Sequence, residues 1–86
     1  MKIENQVLIE GDDLPSVIIP GGVRSIGDGA FCGFTNLVSV TIPGSVTSIG
    51  DWAFYDCTSL VSVTIPNSVT SIGYSAFPPA MRLTRI

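Results

Sequence analysis

The residues of this chain that could do chemistry are few, and two aspartates come first. Asp28 and Asp51 each follow a glycine and stand 23 positions apart. If the segments carrying them lie one above the other, the two carboxylates fall roughly 5 Å apart, the spacing of neighbouring strands. That separation suits the acid and nucleophile of a retaining glycosidase. The same Gly-Asp step also reads as a turn with a helix N-cap, and Tyr74 replaces the aspartate one period later. A solvated capping role is therefore the expectation. Cys32 and Cys57 permit at most one internal disulfide and show no C-x-x-C spacing. Histidine is absent, which removes the usual general base near neutral pH and the commonest zinc ligand. Catalysis, a cofactor and a metal are not expected.

Positioning such residues falls to one small domain, since 86 residues leave no room for a second. A hydrophobic fraction of 45% is that of a folded chain. Charged residues make up 13%, against about 25% in an average domain. A net charge of −3 is the wrong sign for a nucleic-acid binder. The first 13 residues are interrupted by Glu4, Asn5, Gln6 and Glu10, so they form no signal-peptide core. No apolar run approaches the ~18 residues of a membrane helix. These features assign no compartment.

The elements follow from an internal repeat. Residues 17–39, 40–62 and 63–85 align without a gap, with 15 of 23 positions identical between the first two units and 13 of 23 between the second and third. Residues 1–16 read as a degenerate unit or cap, in which Ile3, Val7, Leu8 and Leu14 fall where later units carry Ile, Ala, Phe and Leu. The third unit runs on to residue 86, with Ile86 opening a further one. Within the middle unit the recurring apolar positions are Val40, Ile42, Val46, Ile49, Ala53, Phe54 and Leu60. Leu60, Val63 and Ile65 follow an L-x-x-V-x-I pattern, whose last four residues alternate as a half-buried strand does. Pro43 and Pro66 end the strands, because proline cannot donate to a ladder. Ser45–Ile49 gives a second extended stretch, and Trp52 to Asp56 one helical turn. No unit can bury its apolar face alone, so stacked units must share a core with strands in parallel.

The string from Ile42 to Leu60, of the form IPxSVTSIGxxAFxxCxSL, resembles the BspA-like branch of leucine-rich repeats. The resemblance is close over residues 17–77 and loose at the flanks. It implies a right-handed repeat solenoid with a strand-lined concave face, and roles in adhesion or protein binding at a cell surface. The chain differs from the family pattern in having about three good units. Its first unit carries Phe34 in the cysteine column, with Cys32 two positions earlier.

Several residues are candidates for contact. Cys57 falls in an interior column and Cys32 in an outward one. Phe31, Phe54 and Phe77 share one core column. Trp52, Tyr55 and Tyr74 lie on variable positions beside the expected helical turn, where other units place Gly29, Cys32 and Asp28, and tryptophan and tyrosine are enriched at interfaces. Packing flat over neighbouring turns is the competing reading. The strand face should present Ser16, Ile18, Ser39, Thr41, Ser62, Thr64 and Arg85, with Thr41 and Thr64 in a short hydroxyl ladder suited to a regular surface. At the C-terminal end Arg82, Leu83, Arg85 and Ile86 match the strand of a further unit, an open edge suited to self-association. The expected function is a non-catalytic interaction module for a protein or glycan partner that forms a homo-oligomer. The alternative is a purely structural, self-assembling repeat. Neither nucleic acid nor membrane insertion is expected.

Overall fold

The computed structural model describes residues 1–79 and 82–85. Among the described residues there are nine strands and no helix: β1 (Lys2–Glu4), β2 (Val7–Glu10), β3 (Ser16–Ile18), β4 (Ser25–Ile26), β5 (Ser39–Thr41), β6 (Ser48–Ile49), β7 (Ser62–Ile65), β8 (Ser71–Ile72) and β9 (Arg82–Arg85). They form two sheets, ordered β1-β2-β4-β6-β8 and β3-β5-β7-β9. Each 23-residue repeat places one strand in each sheet, in parallel with its copy: Val17 opposite Val40 opposite Val63, and Ile26 opposite Ile49 opposite Ile72. β-branched residues suit this half-buried pleat.

The turns between β6 and β7 and their copies make a third wall, stacked by backbone hydrogen bonds. Phe31 N–H donates to Ala53 O and Phe54 N–H to Ala76 O, both at 2.7 Å. The core lies between the three walls. All seven recurring apolar positions of the middle repeat are buried. At its centre Phe54 stacks on Phe31 at 4.9 Å and on Phe77 at 5.1 Å, with interplanar angles of 12° and 7°.

The third wall contains turns where a helical turn was expected. Trp52 and Asp56 take φ of 55° and 60°, and Gly29 and Gly33 take the matching 65° and 76°. Two left-handed residues four apart cannot belong to a right-handed helix. Consequently Asp28 and Asp51 cap no helix. Each spans to the next repeat instead, Asp28 Oδ1 accepting from Asp51 N–H and Asp51 Oδ1 from Tyr74 N–H, both at 2.8 Å.

Both ends leave the 23-residue register. Asn5 and Gln6, with φ of 51° and 64°, form a tight turn that folds β1 back antiparallel on β2. Leu8 then sits opposite Ile26, not in the phenylalanine column, and Leu14 is exposed instead of filling the leucine column. Gly11 makes room for this arrangement, since a Cβ there would collide with the Phe31 ring. At the other end Arg82 pairs with Ser62, Leu83 with Val63 and Arg85 with Ile65. The expected register put Arg85 beside Ser62 and Ile86 beside Val63, so β9 arrives three residues early. Pro78 and Pro79, in place of Tyr55 and Asp56, restrict the return that leads into it. Ile86 lies outside the described residues.

Candidate functional site

The wall of turns carries the chain's exposed aromatic pair. Trp52 follows Asp51, whose carboxylate holds the Tyr74 amide, and Trp52 N–H itself donates to Tyr74 O at 2.9 Å. These two bonds bring the side chains together: the rings meet edge to face, 5.9 Å between centroids and 84° between planes. Trp52 remains 45% and Tyr74 73% exposed. An edge-to-face contact leaves part of each ring exposed to a ligand.

Trp52 reaches this position at a cost. A left-handed backbone costs a residue with a Cβ about 1–2 kcal/mol, and the first repeat avoids the strain by having Gly29 in that column. The glycine-to-tryptophan exchange between repeats was the signal for this strain that sequence reasoning missed. Tyr55 is half exposed but joins neither aromatic by a ring contact among the described residues; its carbonyl accepts from Gly33 N–H at 2.8 Å.

Charge gathers on the same wall. Asp28, Asp51 and Asp56 lie in it, and no ion pair neutralises them among the described residues. Cys57 lies beneath, its Sγ donating to Phe31 O at 3.0 Å. Burial pushes its thiol up to about 11. Cys32 is exposed and both cysteines are free. Among the described residues no cluster of three or more His, Cys, Asp or Glu is placed to hold a metal ion.

The strand face is separate. Thr41 and Thr64 are exposed neighbours on β5 and β7 and line an open depression of about 280 Å³ with Val40, Ile42 and Pro66. That volume sits at the lower bound of small-molecule pockets. Ser39 Oγ donates to Ser16 Oγ at 3.4 Å, so part of the hydroxyl row bonds to itself. The threonine row is broken at its first position by Ile18, 73% exposed. Arg82, Leu83 and Arg85 are brought together on β9, in another part of the fold from Trp52 and Tyr74.

A family model described as BspA type leucine-rich repeat region matches residues 1–86 in six copies. The chain belongs to the BspA-type leucine-rich repeats. The match includes both ends, where the 23-residue register shifts. Leucine-rich repeats serve generally as protein-interaction modules without catalysis. Comparison with curated proteins and with solved structures returns no match. No helix among the described residues is long and apolar enough to cross a membrane.

Proposed function

We propose that this leucine-rich repeat is a non-catalytic, right-handed solenoid module that binds a macromolecular partner, protein or glycan, through the wall bearing Trp52 and Tyr74. The carrying observation is Trp52, the chain's one tryptophan, held exposed in a left-handed backbone beside a second exposed aromatic. The left-handed conformation belongs to the column, since Gly29 and Ser75 share it at φ of 65° and 49°, and this repeat alone fills it with a large exposed aromatic. Parallel strands joined by crossovers favour the right-handed sense. An adhesive role at a cell surface agrees with the family. Tyr55, at the margin of the wall, and Thr41 and Thr64 on the strand face are secondary contacts in this reading.

Trp52→Gly tests it, because glycine is the residue of the equivalent position 29 and relieves the strain. Wild type and variant are immobilised and exposed to surface extract of the source organism. The expected result is an unchanged or higher melting temperature with loss of the retained partner. A melting temperature several degrees lower makes Trp52 a packing residue and contradicts the proposal. Self-association is the subsidiary part of the reading. It is supported by the open edge of β9, which pairs only with β7 among the described residues, and Arg82, Leu83, Arg85 and Ile86 are its residues. Sedimentation of the wild type over rising concentration reads it: a 9.0 kDa species throughout removes it.

A further inference from the structure

The chain's negative charge is concentrated where its aromatic pair is exposed. Of the seven acidic residues, Asp28, Asp51 and Asp56 lie in the turns beside the aromatic pair, and Asp12 and Asp13 in the turn between β2 and β3, which stacks on them through Gly11 N–H donating to Ala30 O. Lys2 lies on β1, Arg24 immediately before β4, and Arg82 and Arg85 on β9, so no basic residue belongs to the wall.

Asp28 and Asp51 each spend Oδ1 on the next repeat's amide, and the second oxygen of each makes no hydrogen bond among the described residues. Asp51 is the carboxylate nearest the aromatics along the chain, since it precedes Trp52 and holds the Tyr74 nitrogen at 2.8 Å. Exposed ring surface and an unneutralised carboxylate beside it are the two halves of a cation site. The ring quadrupole attracts a cation over its face, and the carboxylate accepts its N–H groups.

Building on the reading of this wall as the binding surface, we infer that Trp52, Tyr74 and Asp51 form a recognition site for an arginine side chain presented by a protein partner. Arginine fits better than lysine. Its planar guanidinium stacks on a ring and offers a fork of donors to a carboxylate, whereas an ammonium is compact and more strongly hydrated. A neutral sugar would use the rings but leave the carboxylates unmatched. An anionic ligand would be repelled.

Trp52 is the chain's only tryptophan, so its emission reports the site directly. Capped tetraarginine, capped tetralysine and cellotetraose are titrated into the full chain at low salt. The inference expects a saturable change in emission with tetraarginine, several-fold weaker binding of tetralysine, and no response to the sugar. Asp51→Asn keeps an oxygen for the Tyr74 amide while removing the charge, and should weaken tetraarginine about three- to tenfold. If far-ultraviolet circular dichroism shows that variant unfolded, Tyr74→Ala, which removes the 73% exposed ring of the pair, is titrated instead and should also weaken tetraarginine several-fold; full affinity there overturns the inference. Raising salt to about 0.5 M should weaken the peptide further. No saturable response to tetraarginine, an equal or stronger response to cellotetraose, or full affinity in the asparagine variant overturns the inference. Failure here while Trp52→Gly still loses its captured partner leaves the binding wall standing and removes only its arginine specificity.

Discussion

Cys57 is the residue whose ionisation the fold resists most. Its thiol is fully buried, and desolvation lifts it from 9.0 to about 11. The folded value lies above the unfolded one, so between them the unfolded chain has lost a proton that the folded chain keeps. Stability is then fully present below about pH 9 and is lost as pH rises through about 11. Chemical denaturation from pH 7 to 11 should show that decline. Cys57→Ala should start lower at pH 7, through the cavity it leaves, and decline less steeply. Parallel profiles for the two proteins would contradict this environment for the thiol. Cys57, Phe31 and Phe54 were legible as interior from their columns alone, whereas Phe77, read as core with them, is only partly buried. The left-handed φ of Trp52 was less so, because a single repeat shows only a tryptophan, and only the neighbouring Gly29 exposes the backbone requirement.

At the scale of elements, the step from strand to turn is governed by glycine for steric reasons. A Cβ on Gly50 would collide with the Asp28 carboxylate and lie 2.6 Å from the Asp28 nitrogen and 2.8 Å from the Gly27 carbonyl carbon. These atoms are backbone of the previous repeat, held there by Gly50 N–H donating to Ile26 O at 2.7 Å. The repeats can approach so closely only without a side chain at this column. Gly50→Ala should therefore destabilise by about 1–3 kcal/mol, lowering the melting temperature by roughly 4–8 °C per kcal/mol. Gly44→Ala, with nothing within 4 Å of its added carbon, should change it little. Equal melting of the two variants would contradict the close stacking. The strands themselves were readable from alternation and proline stops. The turns were not, since Asp51 looks like a helix cap until its carboxylate is seen bonded to the next repeat. The ends were misread for a related reason: the Asn5-Gln6 hairpin and the Pro78-Pro79 return replace the 23-residue step with local turn geometry.

For the whole molecule, stacking divides labour between inside and outside. Repeated apolar columns fill most of the core, and much of the variation between repeats falls on the turns, where Asp28, Asp51 and Tyr74 or Gly29, Trp52 and Ser75 replace one another without disturbing the ladder. That freedom lets one wall gather aromatics and acidic groups while the scaffold stays regular. The account rests on the repeats lying in register around the phenylalanine column. The most direct measurement is the set of nuclear Overhauser contacts of the Phe54 ring in the wild-type protein. With centroids 4.9 and 5.1 Å away, its ring protons should show cross-peaks to the rings of both Phe31 and Phe77. Cross-peaks to neither ring, or to rings outside that column, would contradict the stacked register and the binding wall built on it.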